Sequence, residues 1–310
     1  MKHVVLGGAG FIGTNLALAL SKNIQDEIIA VDKELSYFSH ISKQGIDNIR
    51  FVARDIIGED RFDDLLDGCD VLYHLISTTI PSTSNRQIEK EFHDNISTTL
   101  RILDSCVKMN VKKVVFLSSG GTVYGKDVNC PISEESQTNP ISSYGIQKLT
   151  IEKILYLYNY LHGLDYRIVR LANPYGPYQK PNGVQGVVTT FIDRVINDQQ
   201  IAVYGDGSVV RDFIYINDAV EGIINIVNVS SEYKLYNLGS GRGVSIKELI
   251  EVIEKTLNKK ANVLYEEGRN EDVKENYLDI SRYHMVFGVL NHTSLEEGIM
   301  KTAAFLRNGK

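Results

Sequence analysis

Tryptophan is absent from the 310 residues, and cysteine is scarce. Cys69, Cys106 and Cys130 are odd in number and widely separated, and none stands in a CxxC pair. Neither a disulfide framework nor a zinc or other metal site is indicated, and a reducing, cytoplasmic location is expected. No apolar run approaches the roughly 18 residues that a membrane span needs. Val4-Val5-Leu6, behind Met1-Lys2-His3, is too short for the apolar core of a secretory signal. Basic charge is not in excess either. Thirty-three Lys and Arg stand against 39 Asp and Glu, a net charge of −6, so no global field exists to hold a nucleic-acid backbone. An anionic small ligand would have to be held by a few local cations and helix N-termini. With 43% hydrophobic and 23% charged residues the chain has an ordinary globular composition, and its length suits two domains or one large α/β domain with an appendage.

Short β-branched runs alternate with longer segments of helical period, the pattern of parallel strands joined by helical crossovers. Strands are predicted at His3–Leu6, Glu27–Asp32, Ile49–Arg54, Val71–Leu75, Lys113–Ser118 and Tyr166–Leu171, and helices near Phe11–Ser21, Glu59–Leu66, Glu89–Met109 and Tyr144–Leu161. The rhythm breaks from Asn173 to Gly183, which holds three of the six prolines and reads as a boundary loop. Beyond it come a helix near Val187–Asn197, strands at Ile201–Tyr204 and Asp212–Ile216, and a helix from Asp218. A strand near Leu235–Leu238, a helix from Ile246 and a terminal helix from Thr293 complete a smaller α/β lobe.

Gly7-Gly8-Ala9-Gly10-Phe11-Ile12-Gly13 follows a predicted strand and opens a predicted helix. Gly7 allows the tight turn, Gly10 admits a pyrophosphate to the helix N-terminus, and Gly13 lets helix and sheet pack closely. Asp32, at the end of the second strand, can accept hydrogen bonds from an adenine-ribose diol and would repel a 2′-phosphate. The expected cofactor is a dinucleotide, NAD rather than NADP, with Lys33 keeping NADP open. Asp55-Ile56 at the next strand end is placed to cover an adenine, or is a plain turn. In His74-Leu75-Ile76-Ser77 the backbone would face the cofactor, and a lone His there is more often packed than catalytic.

Tyr144 and Lys148 stand four residues apart on one predicted helix and share a face. A nearby ammonium favours phenolate, so Lys148 is expected to lower the Tyr144 pKa toward the range of a general base.

These features, with Asn95, Ser118–Gly125, Arg170–Pro177, Arg211–Tyr215, Asn237–Gly241 and the pair Arg269 and Asp272, resemble the extended short-chain dehydrogenase/reductases. Within them they are similar to the nucleotide-sugar epimerases of the UDP-glucose 4-epimerase type, over nearly the whole chain. The resemblance implies a Rossmann-type doubly wound parallel sheet with a smaller C-terminal substrate-binding lobe. The NAD-binding domain would be residues 1–172 with a returning segment near 212–240, and the lobe 173–211 with 241–310. Implied cofactor contacts are Gly7, Gly10, Phe11, Ile12, Gly13, Asp32, Asp55, Ile56, Leu75, Asn95, Ser118, Tyr144 and Lys148. Asn173, Arg211 and Arg269 would hold the diphosphate of a nucleotide-sugar substrate, and Asn276 would line the sugar pocket where a larger residue excludes a 2-acetamido group. Tyr277 is the alternative if the register slips by one. Tyr144 would take the proton of the sugar 4-hydroxyl as C4 gives up hydride, and Lys148 would bind the nicotinamide ribose.

One departure stands out. Four residues before Tyr124 the family carries Ser or Thr, and here it is Gly120; Thr122, Ser119 or a water would replace the hydroxyl. Gly121 and Thr122 also stand where the 4,6-dehydratases carry an Asp-Glu pair, which argues against elimination. A 4-keto-reductase using the same Tyr and Lys, a dehydratase on the same fold, and a non-enzymatic dinucleotide sensor are the other readings. The resemblance further implies a homodimer through the two long helices, with Leu155, Tyr156, Tyr158 and Leu161 as apolar surface unless the monomer buries them.

Overall fold

The computed structural model describes residues 1–79, 84–181, 186–268 and 273–308. The chain divides into two compact units. The first comprises Met1–Val123, Pro140–Arg170 and Ile223–Tyr236, and the second Tyr124–Asn139, Leu171–Gly222 and Asn237–Lys310.

The first half of the chain supplies β1 (Lys2–Leu6), α1 (Phe11–Leu20), β2 (Glu27–Asp32), β3 (Ile49–Ala53), α2 (Asp63–Leu66) and β4 (Val71–His74). Next come α3 (Ile88–Phe92), a π-helical turn (His93–Ser97), α4 (Thr98–Lys108), β5 (Lys113–Ser119), α5 (Ser143–His162) and β6 (Tyr166–Leu171). The strands are Val- and Ile-rich because both faces are covered. β1 lies parallel between β2 and β4, with Val4 opposite Ile29 and Leu72. The sheet order is β10-β6-β5-β4-β1-β2-β3, the doubly wound arrangement in which the order reverses beside β1, and its edge strand β10 (Leu235–Leu238) is reached late in the chain. The core joins Val4, Leu6, Ile29, Leu72 and Phe116 to Ile102, Ile151 and Leu155 from the helices.

Three predictions about this half change. The single helix expected over Glu89–Met109 is interrupted by the π turn, where one extra residue per turn swings Asn95 into the interior. The helix expected from Glu59 begins only at Asp63, because Glu59 and the Arg61 carbonyl are used as acceptors by the Arg54 guanidinium. On α5, Leu155 and Tyr158 do not offer surface: both are buried, and the Tyr158 hydroxyl donates to Asp104 at 2.6 Å. Tyr156, Leu157, Tyr160 and Leu161 are exposed.

The second half holds β7 (Asn173–Tyr175), α6 (Val187–Ile196), β8 (Gln200–Tyr204), β9 (Val210–Tyr215), α7 (Ile216–Asn228), β11 (Gly243–Ser245) and α8 (Ile246–Leu257). It ends with β12 (Asn262–Glu266), β13 (Glu275–Asn276), α9 (Ser281–Phe287) and α10 (Leu295–Asn308). β9 is its axis, pairing with β11, β13 and β7, while β8 pairs with β12. Of the stretch 212–240 expected to return to the main sheet, β10 does so and β9 does not. The loop expected from Asn173 opens with a strand instead: β7 pairs with β9, and an edge strand tolerates Pro174. Among the described residues no helix is long and apolar enough to cross a membrane.

Candidate functional site

The glycine loop leaves β1 and enters α1 at the point where the sheet order reverses. Gly7 sits at φ +84°, a conformation that side chains rarely adopt, and a Cβ on Gly13 would run into the Gly7 carbonyl oxygen. Gly10 caps α1 without any side-chain hydrogen bond, and no acidic residue occupies the first turn. The amides there are thus left to an anion, as a pyrophosphate requires. Asp32 accepts from the Ala9 amide at 3.1 Å and from the Lys33 amide at 2.9 Å, which holds its carboxylate at the rim of the loop. The loop fits a dinucleotide. Lys33 does not turn toward it: its ammonium pairs with Asp55 at 3.0 Å. Ile56 is buried, and the Leu75 amide donates to Leu6 O at 3.1 Å.

A narrow cleft is lined by His74, Ser77, Asn95, Tyr144, Gln147 and Lys148 among others. It brings the β4 end, the π turn and α5 together. Ser142 caps α5 by accepting from the Gly145 amide at 3.2 Å, and Gly145 packs under Pro140 and the Thr122 carbonyl, where a Cβ would clash. Tyr144 and Lys148 therefore face the same way from a fixed helix start. Lys148 Nζ donates to Leu117 O at 2.8 Å and lies 4.7 Å from the Phe116 ring centre and 5.5 Å from that of Tyr144.

Electrostatics here run against the sequence expectation. Burial pushes the Tyr144 phenol up to about 12, with no lowering by the lysine, and brings the Lys148 amine down to about 8, with Glu152 opposing that fall. Desolvation penalises both charged forms, and the ammonium is turned to a carbonyl and a ring rather than to the phenol oxygen. His74 is held near 3 by burial and by the neighbouring lysine charge. Its Nε2 lies 2.9 Å from Thr99 Oγ1, so it is a packed, neutral residue rather than a base.

Asn95 is committed to the scaffold. Its Oδ1 accepts from the Thr78 amide at 2.9 Å, and its Nδ2 donates to Gln147 Oε1 at 2.6 Å and Glu91 O at 3.0 Å. Ser118 Oγ donates to Glu152 Oε1 at 2.5 Å. Of the two candidate hydroxyls, Thr122 Oγ1 is buried without a hydrogen-bond partner among the described residues. The Ser119 carbonyl accepts from the Thr122 amide at 3.4 Å and the Val123 amide at 3.3 Å, which turns the strand end back.

In the second unit, Asn173 Nδ2 donates to Asp212 O at 2.9 Å, and Arg211 Nη1 donates to Val210 O and Val273 O at 2.8 and 2.7 Å. Asn276 pairs with Arg211 in the β13–β9 register and is only 2% exposed, while Tyr277 is half-buried. Arg269 and Asp272 lie outside the described residues. Sequence reasoning missed Asp212, a fully buried carboxylate that accepts from Ser240 N, Ser240 Oγ, Gly241 N and Leu278 N. It also missed Glu152, although the 144/148/152 spacing on one helix face is a signal that pointed to it. No group of three or more metal-ligating side chains occurs among the described residues.

Residues 3–239 match the NAD dependent epimerase/dehydratase family. The chain belongs to that family. It is similar to the UDP-glucose 4-epimerase of Mycolicibacterium smegmatis, 30% identical over 310 residues that cover 99% of each chain. Among solved structures it is similar to a UDP-glucose 4-epimerase of Thermotoga maritima with UDP-glucose (TM-score 0.91, 30% identity, 100% and 99% of the two chains). It is also similar to a UDP-N-acetylglucosamine 4-epimerase of Methanobrevibacter ruminantium in complex with UDP-N-acetylmuramic acid (TM-score 0.92, 28% identity, 100% and 99%). The fold is the Rossmann-type α/β fold of these proteins.

Proposed function

We propose that this family member epimerises C4 of a nucleotide-diphosphate hexose, a UDP-hexose or UDP-N-acetylhexosamine, through a 4-keto intermediate. The observation that carries this reading is the placing of Tyr144 and Lys148 on one face of α5, side by side in the cleft. Similarity to 4-epimerases over the full chain supports it. Gly7, Gly10 and Gly13 with the first turn of α1 would hold the pyrophosphate of NAD, and Asp32 the adenine ribose. Bound there, NAD supplies a hydride acceptor at the sugar C4 and a positive charge that favours phenolate.

Tyr144 Oη takes the proton of the 4-hydroxyl, leaving a ketone at C4, and returns it once the sugar has presented its other face. Its raised pKa keeps the phenol neutral until positive charge joins Lys148 beside it. Lys148, fixed on Leu117 O, supplies the charge from the protein side. Thr122 Oγ1 would stand in for the hydroxyl absent at Gly120 and relay between sugar and phenol. Asn173 and Arg211 would receive the substrate diphosphate. A second copy of the chain is the proposed partner of the exposed Tyr156, Leu157, Tyr160 and Leu161 on α5.

The test is incubation of the purified protein with UDP-glucose, UDP-galactose and their 2-acetamido counterparts, with no cofactor added. A C4 epimer is expected, and Tyr144→Phe is expected to retain NAD while losing more than about 100-fold in rate. Turnover only with added NADPH and a 4-keto sugar would assign a reductase instead.

A further inference from the structure

Beneath the Tyr144–Lys148 face lies a buried ion pair that the proposed reaction does not use. Glu152, one helical turn beyond Lys148, and Arg170 on β6 are each 4% exposed. Arg170 donates through Nη2 to Glu152 Oε2 at 2.6 Å and through Nε to Oε1 at 3.1 Å, and Ser118 Oγ donates to Oε1 at 2.5 Å. The residue before Ser118 on β5 is Leu117, whose carbonyl accepts from Lys148 Nζ. Consecutive positions of one strand thus hold the lysine and the glutamate side by side.

An amine taken out of water sheds its proton unless an anion stands near. The charged and titratable groups facing Lys148 come from four elements. α5 contributes Tyr144 and Glu152, β4 contributes His74, β6 contributes Arg170, and the π turn contributes Asp94 at the wall of the same cleft. Tyr144 and His74 are neutral, Arg170 is a cation paired with Glu152, and Asp94 is engaged by Lys90 at 2.6 Å. Glu152 is the anion that opposes loss of the lysine's charge, as the direction of its influence on Lys148 agrees.

We propose that Glu152 is the positioning residue for Lys148: clamped by Arg170 and Ser118, its carboxylate keeps the buried amine charged and seated on Leu117 O. Arg170 sets how much of that carboxylate's field the lysine receives. The consequence for catalysis rests on the reading of Lys148 given above; the test does not.

The lysine amine is titrated directly, by ¹³C NMR of protein labelled at lysine Cε and used as purified, with the Lys148 signal identified by its loss in Lys148→Met. The midpoint is expected near 8. In Glu152→Gln it should fall by about one pH unit, a tenfold loss of ammonium at a fixed alkaline pH. In Arg170→Met it should rise, because the guanidinium no longer offsets the carboxylate's charge. Glu152→Gln removes the negative charge that Arg170 pairs with and can fail to fold. A second comparison therefore sets Arg170→Met against Glu152→Gln/Arg170→Met, which differ only at the carboxylate, with the lower midpoint expected in the double variant. A merely structural cluster would loosen α5 in either case and displace the midpoint the same way. Equal midpoints with and without the carboxylate, or shifts of one sign in both single variants, overturn the proposal. The sugar assay is read separately: a wild type that turns over no nucleotide sugar removes the proposed function and leaves the titration to decide Glu152.

Discussion

Replacing Thr122 by valine separates stability from catalysis at one atom. The two side chains have nearly the same shape, so the change exchanges a buried hydroxyl without a hydrogen-bond partner for a methyl group. Burying an unpaired hydroxyl costs about 1–3 kcal/mol, and removing it should return about 1 kcal/mol after the lost dipole interactions are counted. For a chain of this size that is a rise in melting temperature of about 2 °C. If the hydroxyl relays the proton between sugar and Tyr144, the same change removes one hydrogen bond formed only during reaction. That loss is about 1.5–3 kcal/mol, or roughly 10- to 150-fold in kcat. Thr122→Val is thus expected to be more stable and slower. Thermal unfolding and steady-state epimerisation measure the two halves independently, with Ser119→Ala as the comparison, expected to cost less. A variant that keeps full kcat would refute the relay, whatever its stability. One that melts lower would refute the unpaired state of the hydroxyl.

Asp32→Ala should weaken NAD and let NADP compete, since the carboxylate excludes the 2′-phosphate; mass spectrometry of nucleotide released on denaturation reads this, and unchanged NAD selectivity counts against the assignment. Asn276→Tyr should suppress turnover of 2-acetamido sugars relative to plain ones, measured as a ratio of kcat/KM values. Because Asn276 is buried, the added volume should also cost about 1–3 kcal/mol in stability, and an unchanged ratio removes the residue from the sugar pocket. His74, held near 3 in the fold against 6.5 in an unfolded chain, makes stability fall as pH drops below 6.5. The unfolded state alone takes up the proton in that window, so about 2 kcal/mol should be lost by pH 5. Urea unfolding at pH 7 and pH 5 checks it, and a His74→Gln variant with the same pH dependence as wild type would contradict the cause given.

Local spacing determined much of this protein. Gly7, Gly10 and Gly13 between an apolar run and a helical period specify a strand, a tight turn and an open helix start, and the structure has all three. The interval from Tyr144 to Lys148 is one helical turn, so their common face follows from helix geometry alone. Tertiary structure decided what depends on partners distant in sequence or on the loss of water. The π turn at His93–Ser97 does not disturb the apolar period, and it shows itself only through the contact of Asn95 with Gln147. β7 and β13 are too short to carry a pattern and exist because β9 offers them hydrogen bonds. The resemblance implies a cofactor contact at Ser118, yet its hydroxyl is taken by Glu152 on α5, which Arg170 on β6 holds in turn. The direction of the Tyr144 shift reversed for a related reason. Sequence shows that an ammonium is near, but only packing shows that both groups are desolvated and that the ammonium points to Leu117 O. Periodicity fixes which residues share a face; burial and long-range pairing fix their charge.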